Sequence, residues 1–225
     1  MPLLRLIALL CVLLVAPVRA DTLPAQARIV YSAKLSGLTV GEAVQSWRVS
    51  EGRYRLTTEL NPIIGPRIRY ESQGLLTDAG LKPQDYAEYR NRDETPRHLA
   101  RFEWARKLVV QGAPDRLQQH KLDTGAQELN ALPFHLAFLG AARTAHVQVA
   151  TGRKLRNDRF TQAGMQTVSL KGQQVDARVW RSESGDDRTE FWLAPGHANL
   201  PVRILRQDDK GELQLIAQTI EFQQE

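Results

Sequence analysis

The chain holds five histidines, His98, His120, His135, His146 and His197, and their spacing decides whether metal chemistry is within reach. A zinc centre needs converging nitrogen, sulfur or oxygen ligands, and HxH or HExxH is the spacing that sets two imidazoles on one face of a strand or helix. Neither pattern occurs. The single cysteine, Cys11, falls in the first apolar run, which leaves no thiolate ligand and no disulfide for the rest of the chain. Serine nucleophiles lack their frame as well. There is no Gly-x-Ser-x-Gly turn, and Ser169 and Ser184 have no histidine nearby in sequence. The paired carboxylates Asp186-Asp187 and Asp208-Asp209 sit in turn signals, where Asp bonds its own backbone rather than acting as general acid or base. No glycine-rich loop opens a helix to cradle a phosphate. The expectation is a protein that is not an enzyme and carries no cofactor and no metal.

Two residue groups suit binding better than catalysis. Arg67, Arg69, Arg90, Arg92, Arg97 and Arg101 crowd one stretch, and arginine forks bidentately onto carboxylate or phosphate. Of these, Arg67, Arg69, Arg90 and Arg92 are the candidates for an anionic rim. Phe134, Phe138, Leu139, Trp104 and Trp192 are the candidates for contact with an apolar ligand. Acidic residues are interleaved throughout, so nucleic acid is not an expected partner.

The scaffold for these residues begins after residue 20. Arg5 followed by the apolar run Leu6 to Ala16 and the small-residue site Val18-Arg19-Ala20 reads as a cleavable signal peptide over residues 1–20, the run being too short to span a bilayer. Cys11 sits within that run and not at its cleavage point, so lipid attachment is not expected. Removing Arg5 and Arg19 lowers the formal charge of +5 by two. The expected location is the periplasm, with no transmembrane segment after processing.

Residues 21–225 read as a single β-rich domain, because the dominant hydrophobic period is two. Ile29, Tyr31, Ala33 and Leu35 alternate with polar residues, Gly37-Leu38 turns the chain, and a strand runs from Val40 to Val49. Glu51-Gly52 makes a tight hairpin into Tyr54, Leu56, Thr58 and Leu60. After Asn61-Pro62 and Gly65-Pro66, Ile68, Tyr70, Ser72 and Gly74 share one face while Arg67, Arg69 and Glu71 take the other. Residues 81–89 and 98–110 extend the sheet. Residues 111–124 lose the alternation and read as a loop and possible sub-boundary (111–125). Residues 129–142 read as the one principal helix, with Leu132, His135, Leu136 and Leu139 at helical spacing, Pro133 in the first turn and Gly140 weakening its end. A helix so apolar must pack on the sheet or lid it. Short strands follow, ending in a hairpin of residues 203–207 against 213–217.

The segments Glu190-Phe-Trp-Leu-Ala-Pro-Gly196 and Leu200-Pro-Val-Arg-Ile204, with the opening Tyr31, Gly37-Leu38 and Gly41-Glu42-Ala43, resemble a widespread family of exported bacterial proteins known only as a domain of unknown function. The resemblance spans nearly all of residues 21–225 and implies a strongly curved antiparallel sheet or open β-barrel. It transfers no active-site residue, because the recurrent positions are turn, core and strand types. The functional expectation is a non-enzymatic periplasmic carrier or binding protein for an apolar or amphipathic envelope ligand such as a lipid. The alternative is an envelope scaffold that holds a protein partner, and third comes a hydrolase acting on wall or lipid.

Overall fold

The computed structural model describes residues 23–140, 142–209 and 211–223, so the signal-peptide reading of residues 1–20 lies outside the described residues. Strands β1 (Gln26–Leu35), β2 (Leu38–Ser50), β3 (Arg53–Pro62), β4 (Ile68–Thr77) and β5 (Gly80–Arg90) form the meander that the alternating pattern and tight turns predict. β6 (His98–Glu103), β7 (Leu108–Ala113) and β8 (Arg116–Lys121) continue it. Then come the two-residue β9 (Gln127–Glu128), helix α1 (Leu132–Phe138), and β10 (Thr144–Ala150), β11 (Leu155–Leu170), β12 (Gln173–Ser184), β13 (Asp187–Ala194), β14 (Leu200–Asp208) and β15 (Gly211–Gln223).

All fifteen strands belong to one sheet, in the order β8 to β1 followed by β15 down to β9. Every neighbouring pair is antiparallel except β9 with β10. The first and last of these strands therefore meet in the middle of the sheet, where β1 pairs with β15 from Gln26↔Gln223 to Leu35↔Leu213. The margins, β8 and β9, do not pair. The sheet is rolled instead, so that β9 lies against β5, with Gln127 Nε2 donating to the Leu81 carbonyl at 2.7 Å.

Inside the roll sits α1. Its Leu132, Phe134 and Leu136 are fully buried, and the Phe134 ring stacks on Trp47 at 4.8 Å, itself stacked on Tyr54 at 5.4 Å. A seven-residue helix cannot hold itself in water, because nucleation costs more than so few hydrogen bonds return. Burying three large apolar side chains, at roughly 1.5–3 kcal/mol each, supplies the difference. Gly80 makes room for it. Its φ is +101°, and a Cβ there would lie 2.8 Å from His135 Nδ1, the atom that accepts the Leu81 N–H at 3.3 Å.

Three expectations need correction. The helix is half the length read from residues 129–142, because the Leu129 N–H donates to the Ala150 carbonyl, those of Asn130 and Ala131 to a buried carboxylate, and Gly140, at φ +48°, ends the segment. Residues 111–124 are not a loop, since the last residues of β7 and the whole of β8 form a hairpin there. Most of β8 is exposed on both faces, so it carries no alternation to detect. The strand read over residues 98–110 is broken at Trp104–Arg106 by a single 3₁₀ turn, after which Lys107 takes a left-handed conformation. Beyond β5 the sheet overlaps itself: Tyr86, Ala100, Phe102 and Val109 meet Ala126 and Ala150 in a second, smaller core.

Candidate functional site

Period-two alternation puts residues i and i+2 on the same face, so the inner faces of β2, β3 and β4 can be read from their buried residues. Those faces are not purely apolar. Gln45 lies between Ala43 and Trp47, Thr58 between Leu56 and Leu60, and Ser72 between Tyr70 and Gly74, and all three are buried. With Tyr31, Asn130 and Glu128 they form one hydrogen-bonded chain through the interior.

The links of that chain are short. Tyr31 Oη meets Gln45 Oε1 at 2.9 Å and the Pro201 carbonyl at 2.8 Å. Gln45 Nε2 donates to Thr58 Oγ1 at 3.0 Å, Thr58 Oγ1 to Asn130 Oδ1 at 2.6 Å, and Asn130 Nδ2 to Ser72 Oγ at 3.0 Å. Ser72 in turn hydrogen-bonds Glu128, whose carboxylate also accepts the backbone N–H groups of Asn130 at 2.6 Å and Ala131 at 2.7 Å. Glu128 is wholly buried, which pushes its pKa up from 4.5 to about 7 against the lowering effect of these donors.

The direction of the chain depends on that proton. In the arrangement just given every donor points toward Glu128, as an ionised carboxylate demands, but Tyr31 then has one hydroxyl proton for two acceptors. Side-chain amides can present either end to a neighbour, and the network chooses which. With Glu128 protonated and donating to Ser72, turning over Asn130 and Gln45 reverses each link and leaves Tyr31 free to donate to Pro201. Every member is then satisfied. A neutral Glu128 is thus compatible with a fully paired chain, in the same direction as its raised pKa.

Gln45, Thr58 and Asn130 form the polar wall of a partly open cavity of about 160 Å³. Its remaining surface is apolar, from Leu60, Phe191, Ile204, Leu213, Leu215, Leu129 and Pro133, with Tyr70 and Tyr86 beside them. The Tyr86 hydroxyl is buried with no hydrogen-bond partner among the described residues, and burial raises its pKa well above the usual value. Arg156 and Arg206 complete the lining at the mouth. Arg156 pairs with Asp158 at 2.7 Å and Arg206 with Asp208 at 3.6 Å. Close by, Arg153 Nη2 donates to both oxygens of buried Glu88 at 2.9 and 3.1 Å, with Arg90 at 3.9 Å from the same carboxylate. The fields of Arg153, Arg206 and Arg90 reach Tyr70, where they oppose the burial and the Glu88 charge that raise its pKa. Among these described groups the two lining arginines are each paired with an aspartate, while Arg153 and Arg90 share Glu88, so the set of four arginines and three carboxylates carries one excess positive charge. Another depression, of about 780 Å³, lies over β1, β2, β3 and β15, but Arg28, Arg48, Arg55 and Glu221 line it and its form is that of an open surface.

The structure spreads out the residues expected to touch a ligand. Phe134 is packed on Trp47, and Phe138 and Leu139 are half-buried at the far end of α1 from the cavity. Trp104 stacks on Phe102 at 5.9 Å and donates to the Pro83 carbonyl at 2.6 Å, in the second core. Trp192 follows Phe191 and so takes the opposite face of β13, donating to Glu190 at 2.9 Å under Arg203. None of the five is among the cavity-lining residues. The arginines divide similarly. Arg69 stands outside, 2.8 Å from Glu71 and over the Tyr89 ring, Arg67 and Arg92 are exposed on loops, and Arg90 alone turns toward the mouth. The inward polar residues were detectable from parity, since Thr58 and Ser72 share a face with apolar neighbours. Glu128 had no such signal.

Among the described residues no three His, Cys, Asp or Glu side chains are grouped closely enough to hold a metal ion, and no helix is long and apolar enough to cross a membrane. A crystal structure of a β-barrel-like protein from Brucella abortus, of the domain of unknown function DUF1849, is similar in fold, with a TM-score of 0.56 at 12% identity over 89% of this chain and 99% of that one. No curated protein matches the chain. Residues 29–218 match the DUF3108 family, described as a protein of unknown function, and the chain, rolled sheet, cavity and all, belongs to that family.

Proposed function

We propose that the protein is a non-enzymatic binding or carrier protein of the cell envelope that takes the apolar end of an amphipathic ligand into the cavity and holds its anionic or polar head at the arginine mouth. The observation that carries this reading is the apolar lining of Leu60, Phe191, Ile204 and Leu215 opening between Arg156 and Arg206. A volume of about 160 Å³ is below the roughly 300–1,000 Å³ of sites for drug-sized molecules, so the part enclosed is a short chain or the tip of a longer one. At about 0.8 kcal/mol per buried CH₂, five methylenes give roughly 4 kcal/mol, and the polar wall and cationic mouth select the orientation. The unpartnered Tyr86 hydroxyl supports a polar contact part-way along the ligand.

The test is displacement of a fluorescent fatty acid, with native mass spectrometry of gently purified protein beside it. Leu60→Trp fills the cavity from its apolar wall and should abolish probe binding while thermal unfolding stays near that of the parent. Probe binding unchanged by Leu60→Trp, or absent in the parent, sinks the carrier reading. A scaffold role has one observation in its favour, the unpaired and largely exposed margin strand β8, which could accept a partner's strand.

A further inference from the structure

Exposed large apolar side chains are ordinary when scattered and informative when gathered. Here the most exposed are Ile64 at 90%, Leu38 at 74% and Ile63 at 72%, and strand register brings them together. Leu38 opens β2 opposite Leu35, which pairs with Leu213 of β15, while the Ile63 N–H donates to the Val40 carbonyl at 2.8 Å. Leu35 and Leu213 are also exposed. The row Leu213, Leu35, Leu38, Ile63, Ile64 therefore crosses the turns at one end of the roll. The cavity reaches that end, since Leu213 belongs both to this row and to the cavity lining, and its cross-strand partner Arg206 is a lining residue exposed there.

Charge lies immediately behind these tips. The Asn91 N–H donates to the Arg67 carbonyl at 2.8 Å, which sets the loop of residues 91–97 beside that of residues 61–67. Arg67, Arg92 and Arg97 are exposed there and make no salt bridge within 4 Å among the described residues, although Asp93 and Glu94 share the second loop and temper the field. Apolar tips backed by arginines match the order of a bilayer surface, acyl chains first and anionic headgroups above them. A protein partner would be met by a continuous face. These side chains instead stand on separate turns around an opening.

We infer that the mouth end of the roll docks on an anionic membrane surface, with Leu38, Ile63 and Ile64 entering the acyl boundary and Arg67, Arg92 and Arg97 meeting headgroup phosphates. The cavity mouth then faces the lipid, and an amphipathic ligand enters without crossing water. This deepens the binding reading and rests on it for its purpose, but docking itself is measurable without any ligand.

The experiment is vesicle flotation of the purified protein, its N-terminus determined, with phosphatidylcholine vesicles with and without phosphatidylglycerol. The parent should float with the anionic vesicles, less so without phosphatidylglycerol or at high salt, and the double variant Ile63→Ser, Ile64→Ser should lose roughly tenfold or more in partitioning. Both positions are exposed, so the variant should keep the parent's circular dichroism and fatty-acid probe binding. A parent that floats with neither vesicle, a double variant that floats like the parent, or dimers that vanish with the double substitution would overturn the proposal, the last by giving the patch to a second copy. Loss of probe binding with flotation intact would strike the cavity reading and leave docking standing.

Discussion

Replacing Glu128 by glutamine tests whether the interior holds a protonated carboxyl. Burial raises the Glu128 pKa from 4.5 to about 7, so the folded protein binds this proton more tightly than the unfolded chain does. Between those two values folding takes up a proton, and the stability the group contributes is full below about pH 4.5, falls as pH rises, and is gone above about pH 7. That rise corresponds to about 3 kcal/mol. The glutamine of Glu128→Gln would carry no charge and could donate to Ser72 as the protonated acid does, but it has one carbonyl oxygen for two backbone donors, Asn130 and Ala131. Losing one of these hydrogen bonds costs about 1 kcal/mol at every pH. The variant should therefore be less stable than the parent by about 1 kcal/mol near pH 4 and more stable by about 2 kcal/mol near pH 8, with the curves crossing between roughly pH 5 and 6. Urea unfolding of both proteins across this range measures it, and groups common to both cancel in the difference. Two parallel curves, or a variant that is worse throughout, would contradict this account and show an ionised Glu128 at neutral pH.

His135 should give an acid limb of the opposite sign. Burial lowers its pKa from 6.5 to about 4, so the stability it contributes is complete above about pH 6.5 and is lost as pH falls through about 4; His135→Gln should flatten that limb in the same urea titrations. Phe134→Ala empties the stack on Trp47 and should cost about 3–5 kcal/mol by chemical denaturation, whereas a loss under about 1 kcal/mol would mean that α1 is not anchored in the roll.

How far the residues spoke for themselves differs from element to element. Ile29, Tyr31 and Ala33, or Tyr54, Leu56 and Thr58, reveal strands because a half-buried strand must alternate, and Glu51-Gly52 reveals a hairpin because a tight turn needs left-handed backbone, which both residues adopt. These are local rules. β8 was hidden because an exposed strand obeys no such rule, and α1 was overdrawn because apolar spacing over residues 129–142 says nothing of Glu128 pulling the preceding backbone out of the helix.

The residues that line the cavity were not legible in place. Aromatic and arginine content pointed to an apolar site with a cationic edge, yet Trp104, Trp192 and Arg69 went to other cores and faces, while Arg156, Arg206 and Phe191 came to the cavity from strands far along the chain. Local residue order dictates the strands, the turns between neighbours and the parity that turns Gln45, Thr58 and Ser72 inward, since each depends on residues within a few positions of one another. Long-range packing alone sets the pairing of β1 with β15, the rolling of the sheet until β9 meets β5, and the burial of Glu128 at the end of a hydrogen-bonded chain. Those outcomes depend on the accumulated twist of many strands and on which surfaces remain to be buried once the roll closes, and neither quantity belongs to any local stretch of residues.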